Sequence, residues 1–163
     1  MDLAANPFVW LLLAALPFCA AAVWTDLTAM KIRNWTVIGL ALCFAIVGAG
    51  AIPWGAFGFQ FLQAGAVLVV GFFLTAAGAM GAGDAKFLAA TALYVPLVGA
   101  PLYAIILCAC VLAGFALHRG ARMIPALRGI GWESWGRSDF PMGLVLGSAL
   151  AILLAIAAYG YGG

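Results

Sequence analysis

Five stretches of the chain, 7–24, 35–52, 57–80, 99–118 and 140–160, contain no Asp, Glu, Lys or Arg, and each is strongly apolar. A helix needs roughly 20 apolar residues to cross about 30 Å of hydrocarbon, so each stretch is close to one crossing. A sixth stretch, 85–97, holds Lys86 as its single charge and is short for a full span. Only 7% of the 163 residues are charged, against about 25% in soluble domains, so little chain remains for a water-exposed domain. The expected fold is therefore all-α: a polytopic membrane protein of about six transmembrane helices in a single membrane-embedded domain, residues 1–163. The spans are expected near 7–25, 35–52, 57–80, 85–97, 99–118 and 140–160, the fourth beginning in protein-lined space or lying tilted.

The few charges set an orientation. Lys31 and Arg33 lie between spans one and two, Lys86 opens span four, and Arg119, Arg122, Arg128 and Arg137 lie between spans five and six. All seven fall on one face, which the enrichment of Lys and Arg in cytoplasmic loops makes the cytoplasmic one. An even number of crossings then puts both termini in the periplasm, together with the Pro53-Trp54-Gly55 and Gly99-Ala100-Pro101 turns, which lack Lys and Arg. The expected location is the cell inner membrane. No basic residue precedes the first apolar run, so that run is expected to be a retained helix and not a cleaved signal.

A net charge of +2 spread over three short loops does not suggest nucleic-acid binding. Cys19, Cys43, Cys108 and Cys110 fall inside apolar runs without a C-x-x-C pair, which suits packing and not zinc or a disulfide framework. The segment 119–139 mixes arginines with Met123, Ile124, Leu127, Ile130, Trp132 and Trp135, the composition of chain lying on a membrane surface.

Acids are few enough to weigh singly. Asp2 precedes the first span, and Glu133 and Asp139 lie in the surface segment, where water solvates them. Asp26 follows the apolar run ending at Trp24, and Asp84 stands between Gly81-Ala82-Gly83 and the run from Phe87 to Val95. Both are placed at the cytoplasmic boundary, and ionisable groups at such depth are functional candidates. Two carboxyls held close cannot both ionise, so one keeps a proton while the other acts as base. Such a pair can activate a water against a peptide carbonyl and protonate the leaving amine, with no metal or cofactor. The bland alternative is that each acid caps a helix, Asp84 at the start of span four, or pairs with Lys31 or Lys86. Gly81 and Gly83 would admit a substrate backbone and can take positive φ for a sharp turn.

Met80-Gly81-Ala82-Gly83-Asp84-Ala85-Lys86 resembles the Gly-x-Gly-Asp-x-Lys motif of type IV prepilin peptidases. The stretch from Asp26 to Asn34 resembles their first motif, an Asp followed by Ile-Pro-Asn, and Pro141-Met142-Gly143 opens the last span as in that family. The resemblance covers essentially the whole chain. It implies an aspartyl endopeptidase that removes the leader from prepilins and pseudopilins, with Asp26 and Asp84 catalytic and Gly81, Gly83, Lys86 and Asn34 supporting the motifs. These residues hold no Cys-x-x-Cys pair of the family's methyltransferase domain, so the chain is expected to be similar to the short members serving Tad/Flp pili, archaeal preflagellin peptidases being also short. Arg33 stands where the motif has proline.

In place of that proline, Asn34 would cap span two. Lys86 does not share a helical face with Asp84 and suits contact with lipid headgroups or an acidic substrate residue. His118 reads as a helix-end residue, and Gly143, Gly147 and Ser148 as small residues for close helix packing without a chemical role. The alternative function is a non-catalytic membrane carrier or pilus-assembly subunit whose two Asp bind a proton or cation, although carriers usually place such groups at the bilayer midplane.

Overall fold

A computed structural model describes residues 6–124, 131–136 and 139–160. Within them every regular element is helical: α1 (Pro7–Ala29), α2 (Asn34–Ala51), α3 (Trp54–Ala76), α4 (Ala82–Ala92), a single 3₁₀ turn (Leu97–Gly99), α5 (Ala100–Ala121), a short α6 (Glu133–Gly136) and α7 (Met142–Gly160). This all-helical architecture is the one the apolar runs predict. Five helices, α1, α2, α3, α5 with its preceding 3₁₀ turn, and α7, are long and apolar enough to cross a membrane, as in a multi-pass membrane protein.

The expected fourth span, 85–97, is short and begins at a protein-lined cavity, as anticipated, but its helix, α4, ends at Ala92. It has 11 residues, about 16 Å of helix, or half a hydrocarbon layer. Its start shares a cavity with the end of α1, while the far end of α5 brings His118 against Phe140 beside the same cavity. The chain between them therefore runs the length of the bundle and back. It does so by α4, the irregular stretch 93–96 and the 3₁₀ turn, instead of one continuous helix.

Irregular backbone at this depth needs internal partners, because hydrocarbon supplies none. Gln63 of α3 supplies them, its Nε2 donating to the carbonyl of Val95 at 2.8 Å and, at 3.5 Å, to that of Ala92. Tyr103 in the first turn of α5 reaches Thr91 Oγ1 at 3.3 Å, and Tyr94 donates its hydroxyl to the Leu40 carbonyl at 2.7 Å. Most of α4 is buried from Ala85 onward, whereas α3 outside it buries only Gln60 and Gly71 and leaves residues such as Val69, Val70, Phe72 and Phe73 facing outward. An outward apolar face is what lipid requires.

The tightest helix pair is α1 with α7. Leu11, Ala15, Cys19 and Ala22 meet Leu146, Leu150 and Leu154 in one core with Leu40, Phe44, Phe87 and Tyr94. Gly147 permits the approach: a Cβ there would lie 2.8 Å from the Cys19 carbonyl oxygen. At the opposite end from the cavity, Asn6 caps α1 by accepting the Phe8 N–H and ties it to α7 through the Ala158 carbonyl, at 2.6 Å. The four cysteines are free; Cys19 is buried as expected, but Cys108 is exposed on the outer surface, so packing does not account for it.

Candidate active site

The last turn of α1, the loop after it, the first turn of α4 and the approach to α7 enclose a cavity of about 490 Å³. Asp26, Lys31, Asp84 and Asp139 are its charged lining. The two aspartates singled out in the sequence, 58 residues apart by their numbers, thus share one cavity at one end of the bundle.

Asp26 reaches the cavity because α1 stops just past it. Met30 adopts a left-handed conformation, φ 49° and ψ 40°, and its N–H bonds the Asp26 carbonyl at 2.9 Å. That conformation usually falls to Gly or Asn and costs a residue with a Cβ roughly 1–2 kcal/mol, so strain is held beside the site. The Asp26 side chain is 5% exposed, and its Oδ2 accepts the backbone N–H of Gly143 at 2.6 Å. Gly143 is the second residue of α7, where an N–H has no partner inside its own helix.

Asp84 is presented differently. It is the third residue of α4, with Gly81 as the N-cap, so it does not cap the helix itself. Its carboxylate reaches back to the Gly81 N–H, as the third residue does in a capping box. A Cβ on Gly81 would lie 2.7 Å from Asp84 Oδ2, which is why glycine is needed there. The expectation that Gly81 and Gly83 use positive φ is corrected: Gly81 has φ −67°, and the left-handed residue in this connection is Gly78, φ 75°, which closes α3 in a Schellman motif with Ala79 N–H on the Leu74 carbonyl. A Cβ on Gly83 would make only ordinary contact with Ile32, at 3.4 Å. The α3–α4 crossing is tight one residue past Asp84, where a Cβ on Gly71 would fall 2.9 Å from that of Ala85.

Burial first, and then repulsion from Asp26, push the Asp84 carboxyl from 3.8 up to about 6, against the pull of the Gly81 N–H. A proton is therefore within reach of this pair near neutral pH. One carboxyl able to hold a proton and a second lining the same cavity is the arrangement general acid-base hydrolysis requires. Among the described residues no group of three or more His, Cys, Asp or Glu is arranged to hold a metal ion.

Other expectations shift. Asn34 is the first residue of α2 and does not cap it; Arg33 is the N-cap, without a side-chain bond. Asn34 Oδ1 instead accepts from Lys86 Nζ at 3.3 Å, so Lys86 braces the two motif-bearing segments against each other. His118 is 7% exposed, stacked on Trp135 at 5.0 Å and outside the cavity lining, a packed helix-end residue as expected. Trp135 in turn stacks on Trp132, whose edge meets Trp24 of α1. Arg128, Arg137, Leu127, Ile130 and Asp2 lie outside the described residues. Gly143 was expected only to pack, yet it holds Asp26; Asp139, expected as a solvated loop acid, is exposed but lines the cavity. Pro141-Met142-Gly143 was the one available signal for Gly143.

No curated protein and no solved structure matches the chain. The sequence profile of the type IV leader peptidase family matches residues 13–118, a segment that includes both Asp26 and Asp84. That match spans well over half of the sequence, and the chain belongs to the type IV leader peptidase family.

Proposed function

We propose that the protein is an aspartyl endopeptidase of the inner membrane that removes the leader from Flp-like type IV prepilins at the cytoplasmic face, acting as a single membrane-embedded domain in pilus assembly. The observation that carries this reading is the shared cavity, lined by both Asp26 and Asp84. Family membership supports a leader-bearing substrate. Lys31 and Lys86 stand at the cavity end of the bundle, which favours the cytoplasmic side for it.

In this scheme the ionised carboxylate takes a proton from water as that water attacks the scissile carbonyl. The protonated carboxyl hydrogen-bonds the carbonyl oxygen as charge builds there, and a proton then passes to the leaving amine. No covalent intermediate forms. The small first turn of α4, Gly81 to Gly83, leaves room for an extended peptide beside Asp84.

Co-expression of a Flp-type prepilin with the wild type, Asp26→Asn or Asp84→Asn tests the reading through gel mobility of the prepilin. Leader removal should occur with the wild type and fail with both variants. Processing that persists in both variants would reject the assignment.

A further inference from the structure

The bond between Gly143 and Asp26 joins the first helix to the last across 117 positions of sequence. Two features of Gly143 separate it from a packing glycine. Its N–H lies in the first turn of α7, where no helical carbonyl can accept it, and a carboxylate oxygen takes it at 2.6 Å. A Cβ at this position would stand 2.8 Å from Asp26 Cβ and 3.0 Å from its Oδ2, so any larger residue must displace that carboxylate. Gly147, one turn further on, also lies against α1, but there a Cβ would meet the Cys19 carbonyl oxygen and Val23 Cγ2, at 2.8 and 3.0 Å, and no acid. Close packing explains Gly147. It does not explain a helix-end donor spent on a carboxylate.

We infer that Gly143 is a positioning residue for the peptidase reaction: its backbone N–H fixes Asp26 Oδ2 and so orients the carboxyl, leaving Oδ1 for the attacking water. The inference rests on the peptidase reading of the cavity and adds the group that orients one of its two carboxyls. The start of a helix strengthens the effect, because the positive end of the α7 dipole adds to the hydrogen bond. Among the described residues, the charged groups sharing the cavity with Asp26 are Asp84 from α4, Lys31 from the loop after α1 and Asp139 from the approach to α7, while α7 itself offers Asp26 a backbone N–H.

Two substitutions test this. Gly143→Ala inserts the displacing methyl group. Replacement of Gly143 by glycolic acid, an amide-to-ester change, deletes the donor without adding bulk or breaking a helical bond. Gly147→Ala serves as the packing control. In either Gly143 variant kcat for prepilin cleavage should fall on the order of 10- to 100-fold, the usual worth of a hydrogen bond to a charged group. KM should change little. The acidic limb of the pH profile should move up, because the ionised carboxylate loses its donor. Isotope-edited infrared titration of the Asp26 carboxyl should show the same upward movement without any turnover, and Gly147→Ala should show neither change.

An Asp26 titration that stays in place in the ester variant overturns the inference, as does an equal shift in Gly147→Ala. If Gly143→Ala does not fold, the ester variant decides. If the wild type cleaves no prepilin, the peptidase reading fails, and the infrared titration still decides whether Gly143 controls Asp26.

Discussion

If the two carboxyls sense each other, neutralising one must change the proton affinity of the other. Asp26→Asn removes a negative charge from the cavity while keeping the side chain's size and an oxygen for the Gly143 N–H. Asp84 is held at about 6 by burial first and by Asp26 second, against a starting value of 3.8. That difference raises the protonated fraction at pH 7 on the order of a hundredfold. Without the Asp26 charge the ionised form of Asp84 becomes easier to reach, so its midpoint must fall, but burial remains and keeps it above 3.8. The assay is a carboxyl titration of Asp84 by isotope-edited infrared spectroscopy in detergent or nanodiscs, comparing wild type with Asp26→Asn. A midpoint that stays put or rises would refute the coupling. In the wild type the same argument fixes the sign of the alkaline limb: cleavage should decline as pH rises through about 6 and Asp84 gives up its proton.

Further perturbations separate site from scaffold. Gly81→Ala places a methyl group 2.7 Å from Asp84 Oδ2 and should lower prepilin processing on the order of 100-fold in a protein that still folds, read by gel mobility and circular dichroism. Met30→Gly relieves the left-handed φ of 49° and should raise stability by about 0.5–1 kcal/mol in a detergent thermal-unfolding assay. Gln63→Leu strips the Val95 carbonyl of its donor and should lower stability by about 1–3 kcal/mol, although Gln63 lies outside the cavity lining.

The helical class could be read from the sequence because hydrocarbon leaves a chain of this composition few alternatives. Charge-free runs located five of the helices to within a few residues, and the two acids next to apolar runs proved to share a cavity. What stayed hidden is two-body information. Nothing local to Gly143 indicates a carboxylate 117 positions away, and its N–H is like that of any helix start until α1 lies against it. Asn34 was read as a cap because Asn is a good one; the competing attraction was the Lys86 ammonium, brought there by α4. Gly81 was read through room for a substrate backbone and through positive φ, whereas the constraint visible in the structure is the space taken by a side chain three residues later. The boundary at 92 was hard to see for a related reason: hydropathy stays high through Val95 and only Pro96 signals a break, while Gln63, which takes up the Ala92 and Val95 carbonyls, is a partner that a one-dimensional pattern does not contain.

The early end of α4 has an electrical consequence. Below Asp84 the same helix leads into a packed layer in which Phe87 and Thr91 are 0% exposed and Tyr94 2%, with the Gln63 amide at its lower edge. With that packing beneath it, the cavity should open on one side only, so that its acids exchange protons with a single bulk compartment and a voltage applied across the bilayer falls over the packed layer and not over the acids. Protonation of the pair should follow the pH of one side alone and ignore the membrane potential, unlike that of an acid in a proton-conducting path.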